Sequence, residues 1–333
     1  MRLVVLGLSL SSSWGNGHAT TFRALLSAFA ERGHEILFLE RDRPWYAAHR
    51  DLAEPDFCEL AWYDSLSELE RWRAEIERAD AVMVGSFVPE GVAVGRWVQR
   101  HARGTTCFYD IDTPVTLARL ERAFGSPCAR ALYCSVDTDR YRPLKVPQRW
   151  DLSYLGTYSS DRQPTLERLL IEPARARPDL RFVVAGPQYP EGIEWPANVE
   201  RIEHLPPAGH PEFYAASRFT LNVTRADMIG AGWSPSVRLF EAGACGTPII
   251  SDRWPGIEDV FAPGREIVLA DVAEDVIEAL ACPAGPIGNA ARLAVLAGHS
   301  ARKRAEQFEA DLLAGEARQA LGGEGQSRRA VAS

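Results

Sequence analysis

The sequence lacks the features that mark membrane-inserted, secreted and metal-binding chains. None of its apolar runs reaches the length needed to span a bilayer. The apolar start, Met1 to Leu8, is too brief for a signal peptide and leads into a Ser/Gly loop and an amphipathic helix instead of a cleavage site. The six cysteines form no Cys-x-x-Cys pair, and no histidine cluster stands at ligand spacing. We therefore expect a cytoplasmic protein without a metal site, with buried free thiols at Cys107, Cys134 and Cys245.

Basic residues are also fewer than acidic residues. The 333 residues include 37 lysines and arginines against 45 aspartates and glutamates, which gives a formal net charge of −8. Nucleic acids and anionic membranes bind clustered basic residues. The basic residues here are mostly interleaved with acids, as in residues 68–73, a pattern that is typical of a solvated helix face. No nucleic-acid partner is therefore expected.

Short apolar runs alternate with helical patterns in the first half of the sequence. The candidate strands are Leu3–Gly7, Glu35–Glu40, Ala81–Ser86 and Thr105–Ile111. The candidate helices between them are Thr20–Arg32, Ser67–Ala79 and Pro89–Arg103. Alternation of this kind implies right-handed crossovers and a mainly parallel sheet with helices on both faces.

The alternation restarts after a proline-rich stretch at residues 141–147. Further strands are predicted at Leu152–Leu155, Arg181–Ala185, Val199–Ile202, Phe219–Val223, Pro248–Ser251 and Glu266–Leu269. Further helices are predicted at Thr165–Arg175, Pro211–Ala216, Pro235–Ala244, Ala273–Ala281 and Gly288–Ala314. The fold class is therefore α/β, with two Rossmann-like domains, residues 1–140 and 141–314, whose parallel sheets face a cleft. The tail, residues 315–333, has no apolar stripe and is expected to be disordered.

One segment of the second half, residues 232–250, combines several phosphate-binding features. Ser234 is a suitable N-cap, and Pro235 suits the first helical position. The free N–H groups and the positive dipole end of such a helix can hold a diphosphate. Ser234, Arg238 and Glu241 stand at i, i+4 and i+7 and so share one face. From that face Arg238 can bind phosphate and Glu241 can accept hydrogen bonds from a ribose. In the alternative interpretation Ser234 merely caps the helix, and Arg238 and Glu241 form an exposed ion pair.

The run Glu-Ala-Gly-Ala-Cys-Gly-Thr-Pro at residues 241–248, with residues 256–259 and 263–266, resembles the donor-binding signature of family-4 (group 1) glycosyltransferases. The chain is more similar still to the CgeB-like branch of these enzymes. The segments that carry this similarity are residues 12–20, 108–114, 133–137, 155–158, 184–187 and 221–228. The resemblance covers nearly all of the chain up to the last helix and implies the GT-B fold. It also implies that the carboxyl-terminal domain holds most of the nucleotide sugar, and that transfer requires no metal or other cofactor.

The sequence departs from this family pattern in two places. Family members usually carry another glutamate eight positions before the one that matches Glu241, and Trp233 occupies that position here. Asp227 is a candidate to supply the missing acidic contact to the donor sugar. Relatives in the CgeB-like branch also carry a strand and a Thr-Gly-Gly loop between the segments that match Leu117–Leu120 and Glu121–Gly125, which are joined directly here. We therefore expect an amino-terminal sheet that is one strand short.

The loop after the first strand supplies candidate site residues in the first half. Gly15 and Gly17 permit close backbone approach to a ligand, and Asn16 lies between them. His18, at the helix start, could act as a catalytic base because the helix dipole disfavours its charged form. Alternatively, Asn16 or His18 only caps the helix.

Two acidic residues follow the fourth predicted strand of the first half. Asp110 and Asp112 stand at its carboxyl end, where open α/β sheets place ligands. We expect Asp110 to face the cleft as a second catalytic residue and Asp112 to cap a helix, with Pro114 in the first turn.

Further donor-binding candidates stand at strand ends or at the helix start of the second half. They are Tyr158, Arg162, Gly186, Thr224, Arg225, Asp227 and Ser236. The resemblance implies that Arg162 helps to hold phosphate and that Tyr158 lies near the base or sugar. Asp161 and Arg162 could equally form a surface pair.

The sequence thus predicts a glycosyltransferase that uses a nucleotide-diphosphate-sugar donor and an unidentified acceptor. The helix dipole at Ser234, with Arg238 and Arg162, would stabilise the negative charge of the leaving diphosphate. One alternative is a nucleotide-sugar 2-epimerase, which uses the same fold. The other is a non-catalytic sugar-nucleotide-binding protein, which Trp233 and the missing strand favour.

Overall fold

The computed structural model describes residues 1–14, 17–111, 131–230 and 235–330, with backbone alone at residue 227 and at 316–330. The described residues form two compact units. One comprises residues 1–111, residues 131–132 and the last helix from Arg302, and the other comprises residues 133–301.

The first unit is built on a sheet of five strands in which every pairing is parallel. Its strands are β1 Arg2–Gly7, β2 Glu35–Arg41, β3 Glu59–Tyr63, β4 Ala81–Gly85 and β5 Thr105–Tyr109. Their order in the sheet is β3-β2-β1-β4-β5. The chain therefore winds outward from β1 in one direction and then, from β4, in the other, so the strand order reverses between β1 and β4.

Helices and turns connect these strands. They are α1 His18–Ala30, α2 Pro44–Ala47, a 3₁₀ turn at Leu66–Trp72, α3 Arg73–Arg78 and α4 Gly91–His101. Apolar residues at helical spacing in α1 and α4 face the sheet, and strand residues such as Val4, Leu6 and Val82 are fully buried beneath the helices.

The edge strand β3, Glu59–Tyr63, is absent from the strands predicted by the sequence. Only its last residue, Tyr63, is fully buried, so the segment lacks the apolar run that marks the central strands. The prediction of a missing strand falls on Leu117–Leu120 and Glu121–Gly125, which lie outside the described residues.

The second unit contains a sheet of six strands, again with parallel pairings throughout. Its strands are β6 Trp150–Leu155, β7 Phe182–Ala185, β8 Val199–Ile202, β9 Ser217–Asn222, β10 Ile249–Ser251 and β11 Val268–Leu269. Their order is β11-β10-β9-β6-β7-β8. All six correspond to predicted strands, and the predicted α/β class with two parallel sheets is confirmed.

The helices of the second unit cover a core formed by the apolar strand residues. They are α5 Gln163–Leu166, a π-helical turn at Glu167–Ile171, α6 Glu172–Ala176, α7 His210–Ala215, α8 Ala226–Gly230, α9 Val237–Cys245, α10 Ala273–Ala281 and α11 Gly285–Gly298. Shorter 3₁₀ turns lie at Pro207–Gly209 and Ile257–Asp259. The π-helical turn is followed by Pro173, which has no N–H to donate to the preceding helical turn.

The helix predicted at Gly288–Ala314 is interrupted. It forms α11 and then α12 Ala301–Ala330, because Ser300 leaves the helix to pair with Val136, and the ring of His299 stacks on Phe240 with centroids 4.8 Å apart. The sequence gives no breaker stronger than Gly298 at this point, so the tertiary contacts decide the break.

The last helix, α12, packs within the first unit. The ring of Phe308 lies 5.2 Å from that of Phe29, and Glu309 pairs with Arg32 and with His34. The helix also extends through residues 315–330, for which the sequence predicts disorder. Ala, Glu, Gln and Arg, which are good helix formers, make up most of this stretch, whereas its four glycines favour the predicted disorder. The boundary between residues 140 and 141 stays a prediction.

The cysteine thiols of the described residues are free. Cys134 and Cys245 are buried as predicted. Cys107, on the edge strand β5, is half-buried as a whole residue, but burial raises the pKa of its thiol to about 12. Within the described part of the chain, no helix is both long enough and apolar enough to cross a bilayer.

Candidate functional site

The strand order of the second sheet reverses between the neighbouring strands β6 and β9. The chain leaves β6 toward β7 on one side and leaves β9 toward β10 on the other. Open parallel sheets bind ligands outside the carboxyl ends of the strands at such a point. Strand β6 ends at Leu155 and β9 at Asn222, so the loops after these two residues mark the expected site.

Helix α9 begins beside these strand ends, two residues later than the sequence predicts. Its N-cap is Ser236, whose backbone is extended and whose Oγ accepts a hydrogen bond from the N–H of Arg238 at 3.4 Å. The predicted cap at Ser234 is therefore wrong, since Pro235 precedes the cap instead of opening the helix. Ser234 itself, with Trp233, lies outside the described residues.

Arg238 connects the ends of the two central strands. Its Nε donates a hydrogen bond to the carbonyl of Leu155, and its Nη1 donates one to Asn222 Oδ1 at 3.1 Å. Its guanidinium also lies over the ring of Tyr154, 4.9 Å from the centroid. Only 7% of Arg238 is exposed and Glu241 is 3% exposed, so the exposed ion pair considered from the sequence is wrong.

The groups in direct contact with Arg238 are neutral, and Asp252, whose pKa the charge of Arg238 acts to lower, forms no ion pair with it. A carbonyl, an amide and a phenol ring contact the guanidinium, and no carboxylate of the described residues lies within 4 Å of it. Its Nη2 donates to none of the described residues; a side chain at Gly156 would place a Cβ 2.8 Å from this nitrogen. Buried arginines are usually paired with an anion. The guanidinium of Arg238 is therefore available to pair with a negatively charged ligand.

Arg162 lies on the same loop, after β6. Its Nη2 donates a hydrogen bond to the carbonyl of Thr157 at 2.8 Å, and its Nε has no hydrogen-bond partner among the described residues. The surface pair with Asp161 is not formed, because Asp161 pairs with Arg225 and accepts a hydrogen bond from the N–H of Ala226. Arg162 and Arg238 thus donate to the carbonyls of Thr157 and Leu155, which are two residues apart. Two positive charges therefore lie near the end of β6.

The pKa of Asp161 shows how this loop is held. Burial acts to raise that pKa, but the hydrogen bond from Ser159 and the charge of Arg225 outweigh it and lower the pKa. The carboxylate is therefore ionised and fixes the start of α8, Ala226–Gly230, to the loop that carries Arg162. The side chain of Asp227, the predicted substitute for the missing glutamate, lies outside the described part.

Two glycines allow the loops after β6 and β7 to meet backbone to backbone. Gly186 has a φ of +147°, and a Cβ at this residue would lie 2.0 Å from the carbonyl oxygen of Gly156. The amide of Gly156 donates to Ala185, and the hydroxyl of Tyr189 donates to the carbonyl of Gly156. A glycine is therefore required at this position, because any side chain would collide with the backbone of Gly156.

Tyr158 follows on the same loop. Its N–H donates to the carbonyl of Pro187, and its ring meets that of Tyr189 edge to face, with centroids 5.5 Å apart. The aromatic side chain expected near a base or sugar thus stands at the carboxyl edge of the sheet.

Thr224 and the unpredicted Asp252 form a buried pair after β9 and β10. The N–H and the Oγ1 of Thr224 both donate to the carboxylate of Asp252, each at 3.0 Å. Burial raises the pKa of Asp252. Asn222 donates in turn to Ser251 Oγ at 3.0 Å. The signal for Asp252 in the sequence is its place at the carboxyl end of a predicted strand, the same signal that identified Asp110.

Glu241 is directed into a different network. Its carboxylate accepts a hydrogen bond from the hydroxyl of Tyr214 at 3.1 Å and lies 3.6 Å from His210 Nδ1. The hydroxyl of Tyr141 is 3.3 Å from the same imidazole nitrogen. The carboxylate thus has protein partners in its own unit, and its predicted contact with a ribose stays a prediction.

The first unit has its own reversal point, between β1 and β4. Glu40, at the end of β2, is 1% exposed and accepts hydrogen bonds from the N–H groups of Leu10 and Ser11 and from Ser11 Oγ. These two N–H groups already donate to Glu40, so they are not available to bind a phosphate. Gly15 and Asn16, further along this loop, lie outside the described residues.

His18 begins α1, directly after Gly17 and two residues before the predicted start at Thr20. It is 7% exposed, and its ring meets that of Phe87 edge to face with centroids 5.4 Å apart. Asp110 follows β5, and the neighbouring Ile111 N–H donates to Ser86 Oγ at 3.4 Å. His18 and Asp110 thus both lie at the carboxyl edge of the first sheet, while Asp112 is outside the described residues.

Comparisons with known proteins place the chain among glycosyltransferase-like folds. The family described as "Glycosyl transferase-like" matches residues 162–310, somewhat less than half of the chain. This match includes Arg162, Thr224, Arg225, Arg238 and Glu241. No curated protein matches the sequence significantly.

Solved structures match the fold over nearly the whole chain. AviGT4, a glycosyltransferase of avilamycin A biosynthesis, is 20% identical over 93% of this chain and 96% of its own, with a TM-score of 0.67. HepE of Anabaena, solved with UDP and glucose, is 14% identical over 94% and 100%, with a TM-score of 0.70. Sucrose-phosphate synthase of Thermosynechococcus elongatus is 14% identical over 97% and 100%, with a TM-score of 0.69. These likenesses confirm the predicted GT-B fold.

Proposed function

We propose that the protein is a glycosyltransferase that binds a nucleotide-diphosphate sugar at the carboxyl edge of its second sheet and passes the sugar to an acceptor. The family match and the fold shared with glycosyltransferases support glycosyl transfer in general. HepE was solved with UDP and glucose, which supports a nucleotide-sugar donor here. The CgeB-like branch, the cytoplasmic location and transfer without a metal belong to the same proposal.

The observation that carries the proposal is the environment of Arg238. A guanidinium that is 7% exposed and has no carboxylate of the described residues within 4 Å sits where the strand order reverses. A buried cation without a direct ion-pair partner costs free energy in the free protein, and the more distant charge of Asp252 offsets that cost only in part. A diphosphate that accepts hydrogen bonds from Arg238 and Arg162 would remove this cost.

The same residues explain how transfer would be assisted. When the bond from the sugar carbon to the diphosphate breaks, negative charge grows on the departing oxygens. Arg238 and Arg162 are already held by the carbonyls of Leu155 and Thr157, so they can stabilise that charge without further reorganisation. The acceptor oxygen would attack the sugar carbon and lose its proton to a base, for which His18 is the candidate.

Calorimetry with UDP, GDP, dTDP and ADP tests donor binding. The matched variants are Arg238→Gln and Arg177→Gln, because Arg177 is half-buried, pairs with Asp179 and precedes β7 at the opposite end of the strands. Hydrogen bonds to charged groups contribute about 1.5–3 kcal/mol, so Arg238→Gln should weaken nucleotide binding roughly tenfold to a hundredfold. Arg177→Gln should bind like the wild type.

Two further measurements complete this test. Arg162→Gln should also weaken binding, and it leaves the contacts of Arg238 with Leu155 and Asn222 intact, which separates loss of affinity from disturbance of the strand ends. Equal affinities for the wild type and both site variants would refute the donor site. Incubation of the bound nucleotide sugar without an acceptor separates transfer from the epimerase alternative, since an epimerase would convert the sugar unaided.

A further inference from the structure

Phe87 is an exposed aromatic residue two positions after the end of β4 in the first sheet. Its exposed fraction is 61%, although the strand that precedes it is buried throughout. A large apolar side chain gains nothing for folding when it stays in water. Packing in the core of the unit therefore does not explain why a phenylalanine occupies this position.

The backbone of Phe87 is also strained. Its φ is +61°, in the left-handed region that bulky residues rarely adopt. Such a conformation costs on the order of 1–3 kcal/mol. Glycine occupies most of the other described positions with positive φ, such as Gly33 and Gly246, and the other non-glycine residues there, Glu90 and Gln188, are polar. The exposed ring of Phe87 thus contributes little to folding while its backbone costs stability, and residues with strained backbones cluster at ligand sites.

The place of Phe87 in the fold is one where ligands bind. Strands β1 and β4 are the neighbours between which the strand order of the first sheet reverses. The ring of His18 stands perpendicular to that of Phe87, at 87°. The N–H of Ser86 donates to the carbonyl of Tyr109, which brings Asp110, the next residue, to the same sheet edge. An open aromatic ring thus contacts an imidazole, and Asp110 lies at the same sheet edge.

We propose that Phe87 is a platform for the sugar ring of an acceptor, with His18 beside its rim. A pyranose has one face of C–H groups, which pack against the negatively charged face of an aromatic ring, and a rim of hydroxyls that needs hydrogen-bond partners. A wholly apolar ligand would leave the polar groups around Phe87 facing hydrocarbon. An anion is disfavoured, because Glu40 already occupies the nearby loop amides and another acidic residue, Asp110, lies at the same sheet edge. This inference rests on the proposed function only in calling the sugar an acceptor.

Saturation-transfer NMR with methyl glycosides tests the platform directly. The probes are the methyl glycosides of glucose, galactose, mannose, xylose and N-acetylglucosamine, with benzyl alcohol as the aromatic comparison. We expect at least one glycoside to receive saturation on the protons of one ring face. Phe87→Ala should weaken that binding roughly fivefold or more. Phe108→Ala is the matched control, since Phe108 is an exposed phenylalanine on β5 of the same sheet.

Thermal unfolding of Phe87→Gly separates binding from a structural role. Glycine relieves the positive φ, so this variant should unfold at the same temperature as the wild type or higher, while it loses glycoside binding. A lower unfolding temperature, glycoside binding that survives Phe87→Ala, saturation of benzyl alcohol alone, or no glycoside signal would each overturn the platform. Nucleotide calorimetry on Phe87→Ala should match the wild type. Failure of the wild type to bind nucleotides would refute the donor site, but it would not change what the glycoside experiment says about Phe87.

Discussion

The hydroxyl of Tyr214 donates a hydrogen bond to Glu241 at 3.1 Å within a network that excludes water. Burial acts to raise the pKa of Glu241, yet the hydrogen bond and charge of His210, with the hydroxyls of Tyr141 and Tyr214, outweigh it and lower the pKa. The ionised carboxylate is therefore the form that the folded state prefers.

The first prediction concerns the pH dependence of this network. A carboxyl whose folded-state pKa lies below its ordinary value of 4.5 stabilises the protein above that pH, and the contribution is lost as the pH falls through the folded-state value. Glu241→Gln should lower the free energy of unfolding by about 1–3 kcal/mol at neutral pH. Urea unfolding at several pH values measures the difference, which should shrink below pH 4.5. A difference that stays constant with pH would contradict it.

The contribution of Asp252 to the free energy of unfolding should change with pH in the opposite direction. Burial raises its pKa above 3.8, so the folded state holds the proton more tightly than the unfolded chain. The free energy of unfolding therefore decreases as the pH rises from 3.8 through the folded-state value. Asp252→Asn keeps an acceptor for Thr224 and removes the charge, so its stability relative to the wild type should improve with rising pH. The same urea series measures this, and a trend parallel to that of Glu241→Gln would refute it.

A pair of glycines on one loop tests the close approach of β6 and β7. Gly186→Ala must place its Cβ against the carbonyl of Gly156 and adopt a strained φ, so we expect a loss of about 3 kcal/mol or more. Gly192→Ala is the control, because its Cβ would meet no atom within 4 Å and its φ is not positive. Chemical denaturation compares the two, and equal stabilities would argue against the contact.

Glu40 offers a test of the loop in the first unit. Glu40→Gln exchanges one accepting oxygen for a donor, so part of its bonding to Leu10 and Ser11 is lost, at a cost of about 1–3 kcal/mol. Hydrogen exchange at the amides of these two residues should accelerate. Glu35→Gln, at the exposed start of the same strand, should leave both amides protected. Slow exchange in both variants would show that other contacts hold the loop.

The sequence predicts those parts of the structure that depend on long apolar runs. The buried central strands of both sheets are of this kind, and so is the amphipathic helix Ala273–Ala281, whose bounds match the prediction. The edge strand Glu59–Tyr63 was missed because a strand paired on one side needs few apolar residues.

Site geometry was less predictable, because it depends on contacts between distant segments. The spacing of Arg238 and Glu241 correctly places both on one side of a helix. It does not reveal that Arg238 reaches strand ends while Glu241 meets a tyrosine 27 positions earlier. The cap fell to Ser236 instead of Ser234, although both are serines next to the same proline, so composition alone does not distinguish them.

The last helix bears on how the protein is made. Phe308 and Glu309 complete the packing around Phe29 and Arg32, although nearly 280 residues of chain separate the two groups. A ribosome therefore releases the amino-terminal sheet long before the side chains that finish its core exist. The unit that is synthesised first should be the last to reach its native state during translation, and its α1 surface stays open to chaperones until then.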